Sequence, residues 1–108
     1  MQFVPDKIKT LTGFAIKSSK IIFGSDNIVS GRKRKYLIIV CRSLSENGFN
    51  RLKNNCGGIP MLKCLCADLS EITHRDNCKA IAFTDKQMAD AALNGFNNSM
   101  YDLISEGK

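Results

Sequence analysis

The chain has one histidine, His74, and no C-x-x-C pair. It has no Ser–His–Asp order, no carboxylate pair that stands out and no Gly-rich phosphate loop. A general acid–base site needs groups tuned by burial and by neighbours, and nothing in the chain marks one. Thioredoxin-like chemistry is disfavoured by the missing motif. No apolar run approaches the roughly 18 residues that a membrane-spanning helix requires, so no membrane partner is expected. Pro/Gly/Ser linkers, low-complexity tracts and internal repeats are absent too, so residues 1–108 are expected to form one domain, long enough to bury a core without metal or disulfide staples.

The cysteine count is five: Cys41, Cys56, Cys64, Cys66 and Cys78. The odd number and the lack of an N-terminal secretory pattern argue against a disulfide framework and lead to the expectation of a reducing cytoplasm. Cys64 and Cys66 would share one side of a strand and could form half of a metal site. Zinc needs about four ligands, and Cys56, His74 and Cys78 would join only by accident of folding. No metal and no cofactor are expected.

Charge is present in excess and unevenly placed. Residues 1–54 carry 11 Lys/Arg against 3 Asp/Glu, a net of +8; residues 55–108 carry 5 against 7, a net of −2. Solubility does not require this asymmetry, whereas an anionic partner docking on one side does. Its focus is Arg32-Lys33-Arg34-Lys35, set between apolar segments rather than on a tail. A phosphate-binding edge is the reading favoured by Lys17, Lys20 and Arg42, which are expected near the same edge. A solvated loop and a nuclear-localisation signal are the other readings of such a run.

The apolar spacing of Val4, Ile8, Leu11, Phe14 and Ala15 predicts a helix over 5–19. A short strand, 20–23, stops at Gly24. A second helix is capped by Ser25 or Asp26 and ends near Gly31. Residues 36–41 form an apolar run without alternation, predicting a central strand buried on both faces. Ser43 and Glu46 have capping-box spacing before a helix that buries Phe49, Leu52 and Cys56. A strand follows from Pro60 to about Leu65, then an Asp68/Glu71 cap and a short helix with Leu69 and Ile72. A buried strand runs over 78–83. Thr84 and Gln87 cap a last helix that carries Met88, Ala92 and Leu93, extends toward Met100, Leu103 and Ile104, and bends or breaks at Gly95 or Asn97-Asn98. The alternation predicts an α/β fold, a three-layer α/β/α sandwich with a mainly parallel, four-stranded mixed sheet.

The order of these segments resembles the L-seven-Ae/L-thirty-e ribosomal protein superfamily, most closely its bacterial YlxQ-like branch. Leu11-Thr12-Gly13-Phe14-Ala15-Ile16-Lys17-Ser18-Ser19-Lys20 is similar to that branch's opening L-x-G-L-A-x-R-A-G-K. Gly24 follows in place. Residues 36–47 are similar to L-V-L-L-A-x-D-A-S-E-N, Gly58-Ile59-Pro60 to the next turn, Asp68-Leu69-Ser70 to E-L-G, and Ala80-Ile81-Ala82-Phe83-Thr84-Asp85 to V-x-A-I-T-D. The resemblance implies an α/β/α sandwich that binds kink-turn or related structured RNA, without catalysis and in association with the ribosome. By position it assigns RNA contact to Gly24, Ser25, Asp26 and Asn27 and to Cys66, Ala67 and Asp68. To these the charge reading adds Lys20, Arg32, Lys33, Arg34, Lys35 and Arg42. The chain differs from the pattern at Asp26, Asn27, Ser30 and Ser70. A protein-interaction or structural module that has kept the fold and lost kink-turn recognition is the alternative, and a thiol-redox protein built on Cys64 and Cys66 is a third.

Overall fold

The computed structural model describes residues 7–65, 69–73, 75, 78–96 and 100–106, with the side chains of residues 105 and 106 left out. Ten elements alternate along the chain: α1 (Lys7–Lys17), β1 (Ile21–Phe23), α2 (Ser25–Ser30), β2 (Leu37–Cys41), α3 (Glu46–Asn55), β3 (Pro60–Cys64), α4 (Leu69–Thr73), β4 (Ala80–Phe83), α5 (Lys86–Gly95) and β5 (Tyr101–Glu106). In α1 the buried positions are Ile8, Thr12 and Ala15, and Thr12 Oγ1 donates to the Ile8 carbonyl at 2.7 Å. That bond lets a threonine face the core. Phe14 was expected inside but is 57% exposed.

The sheet has five strands in the order β1-β4-β2-β3-β5. Only β2 and β3 run parallel; β1–β4, β2–β4 and β3–β5 are antiparallel. A four-stranded, mainly parallel sheet is thus corrected on both counts. The reason begins at α4, whose five residues rise about 7.5 Å, at ~1.5 Å each. β2 covers roughly 16 Å at ~3.3 Å per residue. The helix by itself does not carry the chain back to the start of β3. Instead β4 begins where β2 and β3 stop, with Ala80 opposite Val40, and runs the other way.

All five residues of β2 are buried. Leu37, Ile39 and Cys41 join one apolar cluster, to which α1, α4 and α5 contribute Ile8, Ala15, Leu69, Ile72, Ala89 and Ala92. Ile38 and Val40 join another, with Ile28 of α2, Leu52 of α3 and Cys56 just beyond α3. Helices contribute to both clusters, which is why the strand has no polar alternation.

The segment 101–106, expected to extend the last helix, is strand β5. Leu62 pairs with Leu103 and Met61 with Ser105, so Ile104 is the extra residue of a bulge. Tyr101 joins the first cluster and Ile104 packs against the second, the opposite faces that an odd spacing gives on a strand. Met100, Leu103 and Ile104, three and four apart, are what reads as a helical period.

The caps also differ from those expected. Ser45 caps α3, accepting from Gly48 N at 3.1 Å, because Leu44 N bonds back to Cys41 O and holds Ser43 outside the helix. Asp85, not Thr84, caps α5 by accepting from Met88 N at 3.1 Å. The expected Asp68 cap lies outside the described residues.

Candidate nucleic-acid interface

The turn after β1 sits where β2 ends. Gly24 N donates to Ala80 O at 2.8 Å, and Cys41 N donates to Lys79 O at 2.7 Å. Gly24 has φ 87 and ψ 141, a conformation that glycine adopts at little cost. No side chain caps α2, so neither Ser25 nor Asp26 performs the expected role. Asn27 Nδ2 instead donates backward to Phe23 O at 2.9 Å. Gly31 closes the helix on Asn27 O, and a Cβ there would come within 2.7 Å of that oxygen. Gly24 to Asn27 line a polar concavity of about 490 Å³ with Ser43, Ser45, Gly48 and Lys79. Lys79 Nζ donates to Ser43 Oγ at 2.8 Å. Asp26 is paired with Arg51 of α3.

The cationic run lies at the other end of the sheet. α2 carries the chain away from Gly24, and residues 31–36 then lead into the start of β2, where Tyr36 N donates to Phe83 O at 2.9 Å. Lys33, Arg34, Lys35 and Tyr36 line a depression of about 440 Å³ with Gly58, Ile59 and Pro60, the turn that starts β3. The Arg34 guanidinium lies 5.8 Å from the centroid of the Tyr36 ring. Lys35 Nζ donates to Gly31 O at 2.8 Å. Lys35 also acts on the Cys56 thiol: burial raises its pKa, and the Lys35 charge partly offsets that rise.

Counter-charges distinguish these cations from Lys20, Arg51 and Lys86. Lys20 belongs to the same end, since Ile21 pairs with Phe83, but its amine binds Asp85 at 2.9 Å. That hydrogen bond, then the Met88 amide, holds the Asp85 carboxyl below its usual range. Arg51 has Asp26, and Arg75 stacks on Phe23 at 3.9 Å. Arg32, Lys33, Arg34 and Lys35 have no ion pair among the described residues.

The expected single basic edge is therefore divided. Lys20 and Arg32 to Lys35 lie at the starting ends of β2 and β3. Gly24 to Asn27 lie at the finishing end, as does Arg42, whose guanidinium reaches to 3.5 Å from Leu65 O. From Tyr36 to Arg42 the separation is roughly 20 Å at ~3.3 Å per residue, beyond the ~8 Å screening length of physiological salt. Lys79, Ser43 and Ser45 are site residues that the sequence reading missed. They join the turn because β4 is antiparallel, which places the residue before it beside the end of β2. Cys66, Ala67, Asp68 and His74 lie outside the described residues. Among the described residues no group of three or more His, Cys, Asp or Glu side chains is placed to hold a metal ion. No helix among them is long and apolar enough to cross a membrane.

No family model matches the chain, and no curated protein matches it. Among solved structures, a protein of unknown function from Bacillus halodurans C is similar, with a TM-score of 0.72 and 16% identity over 83% of this chain and 96% of that one. At that identity the similarity shows a shared fold.

Proposed function

We propose that this chain is a non-enzymatic RNA-binding module of the cytoplasm that holds structured, kink-turn-like RNA and works in association with the ribosome. The observation that carries the proposal is the cationic run at Arg32, Lys33, Arg34 and Lys35, which has no carboxylate partner among the described residues. Such a run on a connection anchored at Gly31 and Tyr36 is a phosphate-binding surface, and phosphates are what position a protein on RNA. The polar concavity beside Gly24 supports the second half of the reading, a contact to a non-helical RNA feature by Gly24, Ser25, Asp26 and Asn27, with Cys66, Ala67 and Asp68 added by the family resemblance. The two helix-bearing clusters support the α/β/α layering that the resemblance implies. Gel shifts with ribosomal and kink-turn RNA test the proposal: binding at low salt, weakened by Arg32→Ala/Lys33→Ala/Arg34→Ala, is expected. No shift with either RNA at low salt sinks it.

A second reading is favoured by a specific observation. Asp26 is engaged by Arg51 and Asn27 by Phe23 O, so two of the turn's three polar side chains are committed within the protein. A protein-interaction module that has kept the fold and lost base recognition fits that arrangement. Its mark is a pull-down whose bound material survives ribonuclease.

A further inference from the structure

The depression at the start of β2 and β3 has features that the RNA reading above does not use. It combines three cations with an aromatic ring, whereas the Gly24 concavity is lined by serines, glycines, Leu44, Asp26, Asn27 and one lysine. Tyr36 is half-buried, with its body against the first apolar cluster. Its backbone is fixed by the Phe83 carbonyl. The ring is thus held at the entry to β2 and against the core. Arg34 lies 5.8 Å from its centroid, close to the outer limit of about 6 Å for a cation–π contact. A nucleobase needs about 3.4 Å per stacked layer, so Arg34 withdraws by only about an ångström to clasp a base between its guanidinium and the ring. Lys33 and Lys35 flank that position. Gly58 keeps the opposite wall low, and a Cβ built on it would meet nothing within 4 Å.

We infer that this depression is a separate site for an unpaired RNA strand, in which one base stacks on Tyr36 under Arg34 while Arg32, Lys33 and Lys35 hold the adjoining phosphates. The inference rests on the RNA reading for the class of its ligand and adds a strand type, a base-stacking residue and independence from the Gly24 turn. Double-stranded RNA does not fit, because its bases are already stacked. Aromatic stacking beside a basic groove is how single strands are held without sequence preference.

Fluorescence anisotropy with a short labelled oligouridylate tests the site. The wild-type protein is expected to bind it, with a log–log salt slope near −2, which corresponds to about three phosphates at ~0.7 each on a single strand. Arg32→Ala/Lys33→Ala/Arg34→Ala removes most of that slope and weakens binding more than about tenfold. Tyr36→Leu weakens binding by about tenfold at an unchanged slope. Tyr36→Phe, which keeps the ring and the packing, retains wild-type affinity. Lys86→Ala on α5 leaves binding unchanged. Absence of oligouridylate binding at low salt overturns the inference. So does a Tyr36→Leu protein that is folded by circular dichroism and binds as the wild type does, or displacement by polyglutamate at the same charge concentration, which marks a patch that accepts any polyanion. A protein that binds oligouridylate through Tyr36 but binds no structured RNA removes the kink-turn reading and leaves this site standing. Binding of structured RNA with oligouridylate binding indifferent to all four variants does the reverse.

Discussion

Gly24→Ala separates conformational strain from steric crowding. Glycine at this position has φ 87 and ψ 141, a region that costs a residue with a Cβ roughly 1–3 kcal/mol. Space is not the obstacle, since an added Cβ would meet only Asn27 Nδ2, at 3.9 Å. Nor can the turn rotate to relieve the strain without loss. Its amide donates to Ala80 O at 2.8 Å, and its carbonyl accepts from Ile28 N at 3.0 Å; each such bond contributes about 1 kcal/mol. A loss near 2 kcal/mol is therefore expected. At a urea slope of about 1.5 kcal/mol/M the midpoint falls by roughly 1.3 M. Gly13→Ala is the matched control. That glycine lies inside α1 with nothing within 4 Å of an added Cβ, so alanine there gains about 0.5–1 kcal/mol from helix propensity. Urea titration followed by far-ultraviolet circular dichroism reads both variants. A Gly24→Ala midpoint equal to that of the wild type, or a Gly13→Ala loss as large as that at Gly24, refutes the assignment of strain to the turn.

Tyr101→Ala removes a large side chain that is 1% exposed and is expected to cost about 3–5 kcal/mol; near-normal stability counts against residues 101–106 packing as β5. Asp85→Asn removes the Lys20 partner and weakens the α5 cap. Because the folded carboxyl is held below its usual range, its stabilisation is present above the unfolded value near 3.9 and is lost as pH falls through the lower folded value. The gap in Tm between wild type and Asp85→Asn is therefore widest at neutral pH and closes on acidification, and a gap that ignores pH in thermal melts contradicts the pairing. Four of the five cysteines, Cys41, Cys56, Cys64 and Cys78, are buried thiols, so a colorimetric thiol titration of the native protein shows at most one prompt equivalent, and the rest appear on unfolding.

What was legible in the sequence follows the strength of the local signals. β2 was readable because six apolar residues in a row admit few other readings once both faces are buried. The Gly24 stop and the Gly31 end of α2 were readable because glycine is needed there, for a positive φ at one and for a 2.7 Å approach to Asn27 O at the other. β5 was not readable, since Met100, Leu103 and Ile104 stand three and four apart, the spacing of a helix face. The caps were misplaced by one or two residues because Ser43 and Ser45, or Thr84 and Asp85, carry equivalent local chemistry. The Leu44 N bond to Cys41 O leaves Ser43 outside α3, where Lys79 binds it, and Lys20 holds Asp85 at the start of α5. Strand direction was the largest miss. Helix–strand alternation does not encode direction when a connecting helix is as short as α4. That miss hid the place of Lys79 in the concavity.

The central claim is that the cations at the start of β2, which have no ion pair among the described residues, bind RNA phosphates. The direct test is the salt dependence of structured-RNA affinity for the wild type and for Arg32→Ala/Lys33→Ala/Arg34→Ala, between about 50 and 200 mM salt. The account predicts a log–log slope that is shallower in the variant by about 2 to 3 units, roughly 0.7–0.9 for each phosphate that the variant leaves unneutralised. Equal slopes for the two proteins contradict it.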